Sequence, residues 1–199
     1  MSIYVIVKPE TVNWDEIQHV IYESHSTNRK KGIKMKNPSL SGYAISQKIG
    51  KDGIMLLAMD QENIVGTAGL IPQTNSTWYN KGYYGYCCFD AVLPTYIGQG
   101  IFKKLNIKRE QMAREMGLSK LYIDTHEKNT RAISICLSNG YKRVSIKDCN
   151  DHWNVVLFKW MNGCPYSQFA CHIHYVTEII INKLYKLKML VLKKGGRQQ

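Results

Sequence analysis

The stretch from Tyr84 to Leu105 limits what this chain can become more than any other part of it. Tyr84-Gly85-Tyr86-Cys87-Cys88-Phe89-Asp90-Ala91-Val92 is rich in aromatic and small apolar residues and predicts a strand. Leu93-Pro94-Thr95-Tyr96-Ile97-Gly98-Gln99-Gly100 follows as a glycine-rich turn, and Ile101-Phe102-Lys103-Lys104-Leu105 opens a basic helix. The first amides of a helix have no partner within it, glycine lets a ligand come close to the backbone, and the helix dipole favours negative charge. A phosphate or diphosphate is the natural guest of such a turn. Read alone, the same turn is also a plain strand-to-helix connection, so the remaining sequence has to choose between the two.

The other predicted elements follow in order. Met1–Val7 reads as a first strand closed by Pro9, and Asn13, with Glu16 three residues on, caps a helix carrying Trp14, Ile17, Val20 and Ile21 to about Ser24. Residues 26–38 read as a polar, basic loop, and Leu40–Ile49 as a second helix broken by Gly50 and Gly53. Gly53–Met59 and Ile64–Ile71 form a hairpin across Asp60-Gln61-Glu62-Asn63, and the polar stretch Gln73–Gly82 leads to the strand above. The helix after the turn places Ile101, Leu105, Ile107, Met112 and Met116 in an apolar stripe and stops at Gly117. Leu118–Thr125 reads as a strand, Asn129–Asn139 as a helix closed by Gly140, and Tyr141–Lys147 and Trp153–Trp160 as two final strands. The order β-α-α-β-β-β-α-β-α-β-β describes a mixed α/β domain.

Composition narrows the setting. The 199 residues carry a net charge of +12, with 44% hydrophobic and 21% charged residues, and no run of about 18 uncharged apolar residues that could span a bilayer. The N-terminus lacks a basic segment followed by a cleavable apolar one, and six cysteines without a leader predict reduced thiols and a cytoplasmic protein. Cys149, His152, Cys164, Cys171, His172 and His174 have neither a CxxC pair nor zinc spacing, so no metal site is predicted. A nucleic-acid role would rest on charge alone, since no recognition motif is present.

This order of elements, taken with the glycine-rich turn and with Asn129-Thr130-Arg131-Ala132-Ile133-Ser134-Ile135-Cys136-Leu137-Ser138-Asn139-Gly140-Tyr141, resembles the GNAT superfamily of acetyl-CoA-dependent N-acetyltransferases over residues 3–160. The resemblance implies a mostly antiparallel central sheet flanked by helices. It further implies an acyltransferase domain over residues 1–163, acetyl-CoA as co-substrate, and direct transfer to a primary amine of a small-molecule acceptor in a ternary complex. The family pattern [QR]-x-x-G-x-[GA] falls on Ile97, Gly100 and Phe102, so only its middle glycine is kept while Gly98 adds another. The diphosphate would rest on the amides of Gly98, Gln99, Gly100, Ile101, Phe102 and Lys103. Val92 and Leu93 would pair with the pantetheine arm where their strand splays from the next, and Asn129 would reach the cofactor from its helix.

An amine with a pKa near about 10.4 must lose a proton before it attacks a thioester. Period two along the strand places Tyr84, Tyr86, Cys88, Asp90 and Val92 on one face. Tyr86 matches the position where some family members carry a catalytic glutamate, and Asp90 is the expected base, its other reading being a turn cap or ion-pair partner. The tyrosine that commonly serves the family as general acid is Cys136 here, which is either a proton donor or a buried structural thiol. His126 and Glu127 are further acid/base candidates, Tyr79, Tyr83, Tyr84 and Tyr86 could line an acceptor pocket, and the basic run Arg29–Lys36 would suit an acidic acceptor.

Residues 164–199 extend past the domain as a basic amphipathic helix. Phe169, Ile173, Val176, Ile180, Leu184, Leu187 and Val191 recur at helical spacing, and Lys183, Lys186, Lys188, Lys193, Lys194 and Arg197 against Glu178 leave a charge of +5. The stripe would pack on its own domain, on a second copy in a homodimer, or on an anionic membrane surface with the protein peripheral to it. The last option belongs to a second reading of the whole chain. In it, the departures at Ile97, Phe102 and Cys136 mark a GNAT scaffold whose catalysis has lapsed and which senses CoA or binds a membrane or partner.

Overall fold

The computed structural model describes residues 2–33, 35, 37–75, 82–149, 152–162 and 168–195, with the backbone alone at 75, 82, 148, 168–170 and 185–195. Its centre is a seven-stranded sheet in the order β1-β2-β3-β4-β5-β7-β6. The strands are β1 (Tyr4–Val7), β2 (Ile54–Asp60), β3 (Asn63–Asn75), β4 (Gly82–Val92), β5 (Lys120–His126), β6 (Lys142–Asp148) and β7 (Trp153–Trp160). All neighbours pair antiparallel except β4 and β5, which run parallel, as expected when a helix crosses over between them.

Two helices cover one face. In α1 (Trp14–Ser24) the Asn13 side chain accepts from the Asp15 amide while Glu16 takes the Asn13 amide, the reciprocal cap the sequence predicts. Its buried Ile17, Val20 and Ile21 meet Ile45 and Ile49 of α3 (Gly42–Ile49) and the inward side chains Met55, Leu57, Cys88, Phe89 and Ala91. The other face carries α4 (Ile101–Glu115) and α5 (Thr130–Ser138), whose Ile101, Leu105, Ala113, Ile133 and Cys136 close two further apolar clusters. Gly66 is the close-approach point: a Cβ there would stand 2.9 Å from the Ala91 carbonyl and 3.1 Å from Ile101, so glycine lets the first turn of α4 press onto the end of β4.

Several boundaries differ from the sequence reading. The basic segment after α1 holds a short helix, α2 (Ser26–Lys30), and a 3₁₀ turn at Asn37–Ser39. The hairpin turn is the two residues Gln61 and Glu62, since Asp60 and Asn63 pair with each other. On α4 the expected apolar Ile107 is 59% exposed, while Asn106 and Arg109 are buried in its place. The last helix, α6 (Gln168–Gly195), lies against β6 at the sheet edge, and the expected boundary at residue 163 falls outside the described residues.

Candidate active site

β4 and β5 pair only at Tyr84–Lys120, Gly85–Leu121 and Tyr86–Tyr122, after which both strands continue without bonding to each other. A wedge therefore opens between residues 87–92 and 123–126. A second irregularity bends β4 on its other side. The register against β3 passes from Gly69–Cys88 to Thr67–Ala91, so β4 carries one residue more than β3 opposes. Phe89 takes the strain with φ 56°, held there by its buried ring and by the fully buried Thr67 hydroxyl, which donates to the Phe89 carbonyl at 2.6 Å.

The bulge corrects the expectation that Tyr86 and Asp90 share a face. Cys88 and Phe89 both turn into the α1–α3 cluster, and the alternation resumes out of phase. Tyr86 stays on the α1–α3 side, whereas Asp90 turns toward α4, where Arg109 Nη1 donates to its Oδ1 at 2.5 Å. Arg109 is fully buried and the Asp90 side chain 16% exposed. Burial pushes the Asp90 carboxyl above the usual range against the pull of the guanidinium, while Asp90 holds the Arg109 pKa high although burial opposes its charge. Asp90 is thus an ion-pair partner, the second of its two sequence readings, with Arg109 as the cation.

Arg109 leads into a buried polar network. Its Nη2 donates to Asn106 Oδ1 at 3.0 Å, the Tyr141 hydroxyl donates to the same oxygen at 3.4 Å, and Cys87 Sγ lies 3.7 Å from that hydroxyl. Asn106 Nδ2 and Lys159 Nζ both donate to Glu110 Oε1 at 2.6 Å. None of Arg109, Asn106, Glu110 and Tyr141 was singled out for a site from sequence. A signal was available, because Arg109 stands four residues after Leu105 on the stripe that includes Ile101, and an arginine at a core position needs a buried acid.

Across the wedge, on the α1–α3 side, Tyr86 and Asp124 stand close enough to interact electrostatically, and Asn154 Nδ2 donates to Asp124 Oδ2 at 2.7 Å. Tyr86 packs on the Tyr122 ring with centroids 5.2 Å apart, and burial together with Asp124 raises its pKa far above the usual phenol range. Asp124 and Asn154 were also missed from sequence. They come from two strands brought together by the β5–β7 pairing, which no local pattern announces.

The turn after β4 has the expected form. Leu93 donates its amide to the Val65 carbonyl at 3.0 Å, so that amide is not free for a ligand, and strand alternation points the backbone groups of Val92 into the wedge. A 3₁₀ turn at Pro94–Tyr96 is anchored by the Tyr96 hydroxyl on Asp60 Oδ2 at 3.0 Å. Gly98 and Gly100 have φ +91° and +73°, and a Cβ on either would meet nothing within 4 Å. Gly100 caps α4 without any side-chain bond, and among the described residues nothing accepts from the amides of Gly98, Gln99, Gly100, Ile101, Phe102 or Lys103. Lys103 is exposed beside them, whereas Lys104 donates to the Ile3 carbonyl at 2.9 Å.

Cys136 is 2% exposed within the cluster of Leu121, Ile133 and Tyr141, and burial pushes its thiol up to about 12. That burial supports the second of its two sequence readings, a structural thiol in the core. The Asn129 amide is bonded to the His126 carbonyl at 2.8 Å and its side chain donates to Thr125 Oγ1 at 3.2 Å, which holds it at the start of α5. His126 is buried and stacks on His152, while Glu127 is exposed. Of the tyrosines read as acceptor lining, Tyr84 is buried and bonded to Gln73, and Tyr79 lies outside the described residues, as do Lys34 and Lys36.

Known proteins share this architecture. A solved GNAT-family acetyltransferase from Staphylococcus aureus Mu50 superposes with a TM-score of 0.64 at 21% identity, covering 80% of this chain and 99% of that one. The PaiA N-acetyltransferase of Thermoplasma acidophilum, solved in complex with coenzyme A, gives 0.63 at 18% identity over 80% and 99%. The ribosomal-protein-S18-alanine N-acetyltransferase of Escherichia coli gives 0.61 at 14% over 83% and 98%. No curated protein matches the chain by sequence. The family model for the acetyltransferase (GNAT) family, however, matches residues 14–141, which run from the first helix through the wedge, the glycine turn and α5. With that match over most of its length, the chain belongs to the GNAT family of acetyltransferases.

Proposed function

We propose that the protein transfers the acetyl group of acetyl-CoA directly to a primary amine of a small-molecule acceptor. The observation that carries this reading is the continuity of wedge and turn: the gap between β4 and β5 leads, past Val92, to a helix N-terminus with two positive-φ glycines and a row of amides lacking acceptors. A diphosphate fits those amides with Lys103 neutralising part of its charge, and a pantetheine arm fits the unpaired edge at Val92. Acetyl-CoA supplies the activated thioester carbonyl.

The acceptor enters from the α1–α3 side in this reading. Asp124, held by Asn154, attracts the ammonium form and takes its proton directly or through water, leaving a neutral amine to attack. Tyr86 lies beside Asp124 and, with Tyr122, gives the acceptor an aromatic wall. The Arg109–Asp90 pair lies behind the wedge and holds the bulged strand against α4.

Thermal denaturation with acetyl-CoA tests the first half. At about 100 times Kd the ligand adds about 2.7 kcal/mol, roughly 5–10 °C for a domain of this size. Thiol release against a panel of amines tests the second. Stabilisation with amine-dependent release supports the proposal. Stabilisation without release for any amine favours the CoA-sensing scaffold, and no stabilisation removes acetyl-CoA from the account.

A further inference from the structure

The last helix turns only part of its apolar surface to its own domain. The side it turns to the domain is mixed: Cys171 is buried and Tyr175 packs on the cluster of Leu121, Ile133 and Tyr141, while His174 Nδ1 donates to the Val144 carbonyl at 2.6 Å, Glu178 stands 3.5 Å from the Ser145 hydroxyl, and Asn182 donates to the Glu178 carbonyl at 2.8 Å. The side it turns away carries Ile173, Val176, Ile180, Ile181 and Leu184, of which Ile180 is 53% and Leu184 60% exposed. The expectation that the stripe packs on its own domain therefore fails for these residues. In sequence the same spacing continues with Leu187 and Val191.

Charge decides what covers that face. Over residues 164–199 the acid is Glu178, which is turned inward beside Ser145 and His174, while Lys183 is exposed next to the stripe and Lys186, Lys188, Lys193, Lys194 and Arg197 follow. Opposite charges flanking an apolar seam favour helix pairing, whereas a second copy would set lysine beside lysine, with Glu178 turned inward on both. A bilayer with anionic headgroups accepts both halves of the pattern, the aliphatic chains into the acyl boundary and the lysines onto the phosphates. No helix among the described residues is long and apolar enough to cross a membrane, so the contact lies in the interface plane.

We propose that α6 docks the protein on an anionic lipid surface through Ile173, Val176, Ile180, Ile181 and Leu184 with the adjoining lysines. The docking draws nothing from the β4–β5 wedge and stands whether or not acetyl transfer does.

The test is co-sedimentation of the full chain with phosphatidylcholine vesicles, with and without phosphatidylserine. Binding should appear with phosphatidylserine, weaken as salt rises, and fall at least about tenfold in the Ile180→Asp, Leu184→Asp double variant. Both side chains are exposed, so far-ultraviolet circular dichroism and the thermal midpoint should not change. If that variant misfolds, Lys183→Gln with Lys186→Gln and Lys188→Gln, which leaves the apolar stripe intact, should lose the phosphatidylserine dependence. Absence of binding, equal binding to both vesicles, or binding that survives both variants overturns the proposal. A concentration-dependent dimer in sedimentation equilibrium that the Asp variant dissolves, without vesicle binding, assigns the face to a second copy instead.

Discussion

Arg109 on α4 meets Asp90 on β4 at 2.5 Å, and the two are partners only because the bulge at Phe89 rotates Asp90 away from Tyr86. A charge pair this deep contributes little on balance, but either half alone is costly. Arg109→Met should therefore destabilise the protein by about 3–5 kcal/mol in urea titrations, while Arg109→Met with Asp90→Leu should recover most of the loss. Asp90→Asn should lower activity only in proportion to the folded fraction. A selective loss of turnover at full stability would return Asp90 to the chemistry.

Asp124→Asn removes the proposed proton acceptor while its neighbours can keep their hydrogen bonds. Turnover should fall about 10²–10³-fold with acetyl-CoA affinity unchanged. Tyr86→Phe should cost less, since Asn154 still holds Asp124. Cys136→Ala should affect stability more than rate, because its thiol is buried in the core.

Gly100 sits at φ +73° with open space where a Cβ would be, so substitution there strains the backbone without a clash. Gly100→Val should cost about 1–2 kcal/mol of stability and, by crowding the free amides, weaken acetyl-CoA binding by more than tenfold in calorimetry. Lys103→Glu should weaken the same binding with no loss of stability.

His25 has its pKa lowered from 6.5 to about 4, by burial first and the Arg29 charge second. Its Nδ1 takes a hydrogen bond from Asn28 Nδ2 at 3.2 Å in the neutral form. A histidine depressed in the folded state contributes its full stability above the unfolded pKa and loses it as pH falls toward the folded one. Stability should thus decline between pH 6.5 and about 4, by no more than about 3 kcal/mol from this residue. Measured unfolding free energies of His25→Gln should fall less steeply over that window.

The strand, glycine turn and helix of the proposed diphosphate site, and the reciprocal cap of α1, were legible in the sequence because each depends on residues a few positions apart. So were Gly100 and Val92, which enter the proposed site through main-chain geometry. Which side chains stand together depends on contacts between distant segments. One inserted residue in β4 reversed the strand alternation and moved Asp90 to Arg109, since a two-residue period cannot register a bulge set by Thr67 on the neighbouring strand. Asp124 and Asn154 met through β5–β7 pairing. The apolar stripe of α6 was visible in the sequence, but only its polar contacts with β6 showed that the stripe faces outward.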